Sequence, residues 1–263
     1  MATEDEDQAI GGDQVSGSRH SRLATAIILA AGAGTRLGTL GREHSKATVP
    51  VAGQPLIAWV LESLRRGGLG RIIVVGHPSD AALASFLHTT HPDVTYVLQP
   101  ERLGIADALR RAVPLVRTQP GYLACACDSV FRPADIARLI AVGKQRPESA
   151  AVGVLAMDAA ATMSRSAVRL EGERVVEIVE KPAARPAISG LVAMPLYWLP
   201  QTFNGYLERV PPRGRERFVS TALNVFLQDG GMVYAVPVRE RIEVTTAADI
   251  EGAAKRLPGT VRG

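Results

Sequence analysis

Ala24-Thr25-Ala26-Ile27-Ile28-Leu29-Ala30-Ala31 runs directly into Gly32-Ala33-Gly34-Thr35-Arg36-Leu37-Gly38. The first eight residues carry no charge and are nearly all apolar, the pattern of a strand buried on both faces. Glycines directly after such a strand let backbone N–H groups turn outward and converge on an anion. A buried strand that ends in an anion-binding turn predicts an α/β domain whose ligand sits at the carboxyl end of the sheet.

The surrounding sequence continues this pattern. Gln54–Arg66 places Leu56, Ile57, Val60, Leu61 and Leu64 at helical spacing and stops at Gly67-Gly68. Arg71–Val75 is a short β-rich run, and Ser79 and Asp80 offer a cap for a helix through Leu87. Val94–Leu98 and Tyr122–Ala126 read as strands, Gly104–Val116 and Pro133–Gly143 as helices. Strand and helix alternating over short links predict a mostly parallel mixed sheet with helices on both faces, a Rossmann-like arrangement.

After Ala150 the rhythm changes. Ala151–Met157, Ala167–Leu170, Val175–Val179 and Leu191–Trp198 are strand candidates with little helix between them, and Glu171-Gly172-Glu173 reads as a hairpin turn. Helices return at Gln201–Val210 and Phe218–Gln228, followed by a strand over Met232–Val238 and a helix over Ala247–Arg256. No repeat of a fixed period appears, and no hexapeptide pattern that would build a C-terminal β-helix.

Composition narrows the function classes. The 263 residues are 46% hydrophobic and 21% charged, too apolar for a disordered chain. No stretch of eighteen uninterrupted apolar residues is present, so no membrane-spanning helix is expected. The N-terminus is acidic and lacks the basic region of a secretory signal. Two cysteines, Cys125 and Cys127, make no disulfide scaffold, so a cytoplasmic protein is expected. They share one strand face and read as core. Residues 1–22 are polar and aperiodic and read as a disordered tail. They hold five acids and two bases, so the remainder has 28 Lys+Arg against 21 Asp+Glu, or +7. A basic body with scattered bases and only 5% aromatic residues favours a phosphorylated small molecule over nucleic acid.

Three phosphate-binding loops compete for Gly32–Gly38. A Walker A loop needs Gly-Lys-Ser/Thr after four spacers, which is missing. A dinucleotide fingerprint needs glycine where Leu37 stands and an acid near the end of the second strand, where Val74-Val75-Gly76-His77-Pro78 has none. The remaining reading is a triphosphate loop carrying its own arginine, with the planar guanidinium of Arg36 aimed at phosphate oxygens. An ordinary tight turn with a solvated arginine is the plain alternative.

A longer pattern favours the triphosphate loop. Ala30 to Leu37, then Ser45-Lys46-Ala47-Thr48-Val49-Pro50-Val51-Ala52-Gly53-Gln54-Pro55-Leu56-Ile57, resembles the opening signature of the sugar-1-phosphate nucleotidylyltransferases. Further matches follow in the family's order: Gln99-Pro100-Glu101-Arg102-Leu103-Gly104, Asp128, Glu180-Lys181-Pro182, and Ile242-Glu243-Val244-Thr245-Thr246-Ala247-Ala248-Asp249-Ile250. The resemblance spans roughly residues 24–256. It implies one nucleotidyltransferase domain over 23–263, with a nucleotide-binding half over 23–150 and a sugar-phosphate-binding half over 151–263.

The resemblance also implies roles. Arg36, Lys46 and Lys181 would be catalytic: Arg36 on the β- and γ-phosphates, Lys46 on the α-phosphate, Lys181 on the incoming sugar phosphate. Ala31, Gly32, Gly34, Thr35, Gln99 and Gly104 would bind the nucleotide. Gln99 would read a uracil or thymine edge, so UTP or dTTP is favoured, and Gly104 would let the backbone approach the base. Glu180 and Gly190 would bind the sugar phosphate. Asp128 and Glu243 would hold Mg²⁺, the implied cofactor. The implied partners are a nucleoside triphosphate and a sugar-1-phosphate, with no nucleic acid and no membrane; homo-oligomer formation is left open.

Departures from the family pattern bear on the acceptor. Cys127 and Ser129 replace a glycine and an asparagine around Asp128. Ile105 stands where threonine is frequent, and glutamate replaces aspartate at 243. Ile188-Ser189-Gly190 lacks the asparagine that uridylyltransferases place before Thr-Gly. An unusual sugar phosphate or another phosphomonoester, with a guanylyl or cytidylyl donor, is one alternative. A regulatory protein without turnover is another, and a dinucleotide-dependent oxidoreductase a third, disfavoured by Leu37.

Overall fold

The computed structural model describes residues 24–38, 40–43, 45–182, 190–212, 214 and 216–257. The tail expected over 1–22, and Ile188 and Ser189, lie outside the described residues.

The run that opens at Ala24 is the first strand, β1 (Ala24–Leu29), buried along its whole length. After it come α1 (Leu40–Glu43), the two-residue strands β2 (Pro50–Val51) and β3 (Gln54–Pro55), α2 (Leu56–Arg66), β4 (Leu69–Gly76), α3 (Ala81–Thr90) and β5 (Thr95–Leu98). Next are α4 (Ile105–Val116), β6 (Gly121–Ala126), β7 (Ser129–Phe131), α5 (Pro133–Gln145) and β8 (Ala150–Ala156). The second half comprises α6 (Ala159–Met163), β9 (Ser166–Glu171), β10 (Arg174–Glu180), β11 (Leu191–Pro200), α7 (Asn204–Arg209), α8 (Val219–Gln228), β12 (Val233–Pro237), β13 (Arg241–Glu243) and α9 (Ala247–Arg256).

One nine-stranded sheet, in the order β5-β4-β1-β6-β11-β8-β12-β10-β9, joins the two halves. β1 pairs in parallel with β4 along its length and with β6 over Ala26–Leu29, so its central residues are laddered on both sides and both faces can be apolar. Alternate residues divide between two cores. Ala26 and Ile28 face the layer that holds Ile57, Leu61 and Leu64 of α2 and Leu139 of α5. Ile27 and Leu29 face Leu109 of α4, Leu207 of α7 and Leu223 of α8. Helices therefore cover both faces, as the sequence predicts. A buried leucine in this setting, such as Leu61, contributes about 1.5–3 kcal/mol by leaving water.

The sheet is mixed, which corrects the expectation of a mostly parallel one. Four main pairings are parallel (β4–β5, β1–β4, β1–β6, β8–β12). Four are antiparallel (β6–β11, β8–β11, β10–β12, β9–β10). A parallel neighbour needs a crossover of a dozen or more residues, usually a helix. Beyond Ala150 the chain has few such helices. β9 and β10 form a hairpin about Gly172, whose φ of 63° suits the turn. β11 enters antiparallel between β6 and β8. The short pair β7–β13 stands apart from the main sheet and sets Glu243 opposite Ser129. No helix among the described residues is long and apolar enough to cross a membrane.

Candidate active site

The carboxyl ends of β1 and β6 open a cleft of about 490 Å³. Ala31, Gly32, Gly34, Thr35 and Arg36 form one wall, Lys46 and Asp128 the floor, and Gln99 and Gly104 the far side. Gly34 has a φ of 65° and starts a 3-10 turn over Thr35–Leu37, with Leu37 N–H donating to Gly34 O at 3.0 Å. Leu37 is buried and pins the loop to the core. A Cβ at Gly34 would stand 3.4 Å from Lys46 Cγ, so the loop lies directly against the lysine. At Gly32 a Cβ would meet nothing of the protein within 4 Å, which leaves room for a ligand against the backbone. Thr35 and Arg36 are exposed at the mouth.

Asp128 follows β6, where the Cys127 N–H donates to Leu29 O at 3.1 Å and ties the strand end to β1. Lys46 Nζ lies 2.7 Å from Asp128 Oδ2, and Ser129 Oγ donates to Oδ1 at 2.8 Å. Arg241 Nη2 approaches Oδ1 at 3.9 Å. Burial disfavours the charged form of Asp128, but Lys46, Arg241 and the Ser129 hydroxyl outweigh it and hold the carboxyl below its ordinary range. The group is a carboxylate in the cleft floor.

Glu243 stands at the end of β13, and its carboxylate is linked to that of Asp128 through Arg241. Its Oε1 accepts from Arg241 Nη2 at 2.9 Å and Thr245 Oγ1 at 3.0 Å, and its Oε2 accepts from Arg165 Nη2 at 2.8 Å. Two features fix this corner. Val244 N–H donates to Asp128 O at 3.0 Å, and Asp249 caps α9 by accepting from the Thr245 and Thr246 N–H groups.

Gln99 is buried, and its Nε2 donates to Gly104 O at 3.1 Å and Asp107 Oδ2 at 2.9 Å. Both partners are acceptors, so the amide can face them only through its NH₂ group, which leaves Oε1 as its acceptor for a ligand. Gly104 has a φ of 91°, and a Cβ there would lie 2.5 Å from Arg217 N and O. That glycine is required by the backbone pairing of Leu103 and Ala106 with Arg217.

The cleft thus gathers Ala31, Gly32, Gly34, Thr35, Arg36, Lys46, Gln99, Gly104 and Asp128. Glu180, Lys181, Gly190 and Glu243 do not line it. Glu180 Oε2 accepts from Ser166 and Ser220 hydroxyls at 2.6 and 3.1 Å. Lys181 follows it with an exposed side chain and a φ of 47°, its N–H donating to Arg165 O at 2.9 Å. Gly190 O accepts from Met157 N–H at 2.8 Å. Sequence reasoning missed Arg165, which links Lys181 to Glu243, and Arg241, which links Glu243 to Asp128, and gave no role to Arg102, whose Nε donates to Ala31 O at 3.0 Å. It also missed Asp107, which sits at the third position of α4 and reads there as an ordinary helix-start acid. Arg165 carries no spacing signal that separates it from the other scattered arginines, whereas Arg102 lies inside the Gln99–Gly104 motif and Arg241 two positions before Glu243 on one strand face, signals that could have found them.

Among the described residues no three His, Cys, Asp or Glu converge into a ready-made metal site. Asp128 can give one carboxylate ligand, which suits Mg²⁺, an ion that draws most of its ligands from water and phosphate. Cys125 and Cys127 are buried on one core face, and burial pushes the Cys125 thiol up to about 12, so neither serves as a thiolate.

A family model described as nucleotidyl transferase matches residues 25–242. The bifunctional protein GlmU of Syntrophotalea carbinolica is 34% identical over 169 residues, covering 63% of this chain and 34% of that protein. GlmU of Methanococcus maripaludis is 26% identical over 212 residues, covering 78% of this chain and 47% of its own length. The chain therefore spans between a third and half of the curated relatives it matches. Among solved structures, a UTP-bound UGPase from Acinetobacter baumannii superposes with a TM-score of 0.75 at 23% identity, covering 89% of this chain and 93% of that one. A Bacillus anthracis protein assigned as a glucose-1-phosphate thymidylyltransferase gives 0.79 at 21% identity, covering 91% and 97%. These two likenesses establish the fold, and the family match covers most of the chain. This chain belongs to the nucleotidyl transferase family.

Proposed function

We propose that the protein transfers a nucleotidyl group from a nucleoside triphosphate to a sugar-1-phosphate or a closely related phosphomonoester, releasing pyrophosphate. The observation that carries this reading is the Lys46–Asp128 pair, 2.7 Å apart in the floor of a cleft walled by the Gly32–Arg36 loop. A phosphate oxygen of the acceptor attacks the α-phosphorus. A new P–O bond forms, the bond to the bridging oxygen of the β-phosphate breaks, and pyrophosphate leaves with that electron pair. Mutual repulsion of the anions is the barrier, so positioning and neutralisation are what the protein must supply.

Arg36, exposed at the mouth, takes the β- and γ-phosphates. Lys46 takes the α-phosphate, where its compact charge suits the crowded transition state. Ala31, Gly32, Gly34 and Thr35 bring backbone N–H groups to the phosphates. Nucleotidyltransferases of this family generally use a divalent metal. Asp128 would hold Mg²⁺, which supplies further charge neutralisation when bound. Gln99 Oε1, fixed in direction by Asp107, accepts from the N3–H of uracil or thymine and faces a lone pair in cytosine. UTP or dTTP is therefore the favoured donor. A structural neighbour bound to UTP supports that reading.

The test is a pyrophosphate-release assay pairing each common triphosphate with several sugar-1-phosphates in the presence of Mg²⁺. Release that depends on both substrates and is fastest with UTP or dTTP supports the reading. Absence of release with every pair removes the reaction, and a preference for GTP or CTP removes the base assignment alone.

A further inference from the structure

The residues around Glu243 describe a different site from the one its motif position implies. Its two oxygens accept from Arg241, Arg165 and Thr245 at 2.8–3.0 Å. Arg241 has only 7% of its side chain exposed and stands between the two carboxylates, 2.9 Å from Glu243 and 3.9 Å from Asp128. A cation shared by Asp128 and Glu243 would have to lie where that guanidinium is. It would also meet the positive charge of Arg165 on the other oxygen of Glu243. Like charges this close oppose binding strongly outside bulk water.

The same contacts are what an anion site requires. Arg165 has five N–H donors and gives one to Glu243, and 34% of its side chain is exposed. Its carbonyl accepts from the N–H of Lys181, so the exposed Lys181 and the half-exposed Arg165 belong to one corner of the fold. Glu243, Arg165 and Arg241 together carry a net charge of +1 and Lys181 adds another, set against the carboxylates of Asp249, which feels the charge of Arg165, and Glu180, which accepts from Ser166 and Ser220.

We propose that Glu243 is not a metal ligand in this protein. It is a positioning residue that orients Arg165, and Arg165 adds a second cation to the contact with the acceptor phosphate that the resemblance already gives to Lys181. Arg241 is the brace that keeps Glu243 turned away from Asp128. Metal is then held from the protein side by Asp128 alone. This inference rests on the nucleotidyl-transfer reading for the identity of the acceptor, but its metal arm does not.

The experiment uses the full chain and the variants Glu243→Gln, Asp128→Asn, Arg165→Ala and Arg165→Lys. Mn²⁺ binding is followed by electron paramagnetic resonance with α,β-methylene-UTP present, which needs no turnover. Glu243→Gln is expected to bind Mn²⁺ within about twofold of wild type, whereas Asp128→Asn loses at least ~10-fold. Glucose-1-phosphate, the acceptor probe, is titrated calorimetrically into the same mixture. Arg165→Ala is expected to weaken it at least ~10-fold and leave the affinity for the analogue unchanged. Arg165→Lys recovers part of the loss, and Glu243→Gln weakens the probe in the same direction. Equal loss of Mn²⁺ from Glu243→Gln and Asp128→Asn overturns the assignment of Glu243. Unchanged or absent binding of the probe across the Arg165 series overturns the anion site. If wild type binds no Mn²⁺, the metal reading of Asp128 fails and the calorimetric arm decides alone.

Discussion

Replacing Asp128 by asparagine keeps the shape of the side chain and removes its charge. Lys46 loses its partner at 2.7 Å and Arg241 its neighbour at 3.9 Å, while Ser129 Oγ keeps an oxygen to donate to. Breaking a fully buried pair costs about 3–5 kcal/mol, and an exposed pair about 0–1 kcal/mol. Here the two side chains are 19% and 15% exposed, and Lys46 can turn toward solvent, so about 1–2 kcal/mol is expected. For a domain of this size that lowers Tm by roughly 2–8 °C, leaving the protein folded at assay temperature. Activity is expected to fall much further, because the variant gives up the carboxylate proposed to hold the metal. A loss of at least ~100-fold in rate, about 2.7 kcal/mol, is expected. Initial rates of pyrophosphate release at saturating substrate, with a calorimetric melt of the same sample, separate the two effects. A rate within about threefold of wild type refutes the role of Asp128. A melt lowered by far more than ~8 °C would show that its role is structural.

Three further outcomes follow from the geometry. Because the folded Asp128 carboxyl lies below its ordinary value of 3.8, its contribution to stability is complete above that value and is lost as pH falls through the folded one. Acid titration of wild type should therefore show a loss of stability below about pH 4 that Asp128→Asn lacks; superimposable acid limbs contradict this. Asp107→Ala removes one of the two acceptors that hold the Gln99 amide and leaves the Gly104 carbonyl, so the proposed preference for UTP over CTP should narrow by up to about tenfold in kcat/KM, and an unchanged ratio would show that Asp107 does not orient the amide. Gly104→Ala must place a Cβ 2.5 Å from the Arg217 backbone at a φ of 91°, so it should destabilise by about 1–3 kcal/mol or more in a denaturant melt, and a neutral effect would contradict that packing.

How legible each part is depends on where its physics resides. β1 and its glycine loop are legible because a strand buried on both faces needs an uncharged run and the following turn needs glycine at Gly34, whose φ is 65°. α2 is legible because its apolar spacing alone decides which face is buried. The antiparallel entry of β11 is not legible: Leu191–Pro200 is apolar on both faces, and such a run fits either direction. The site divides in the same way. Lys46 and Asp128 are found through motifs, yet their contact spans 82 positions and no local pattern encodes it. Arg241 stands two positions before Glu243 on β13, but Arg165 comes from 78 positions away in the link between α6 and β9, so only the folded chain shows that this carboxylate faces two guanidiniums. Gly104 also has a second reason that no local pattern shows, the close approach of the Arg217 backbone.

The most direct test of the central claim is phosphorus NMR of a reaction containing the protein, Mg²⁺, UTP and a sugar-1-phosphate. Nucleotidyl transfer predicts a pair of coupled diphosphate-diester resonances growing in equal amount with inorganic pyrophosphate, at the expense of both substrates. Pyrophosphate accompanied only by free UMP, or unchanged spectra with every donor and acceptor pair, would contradict it.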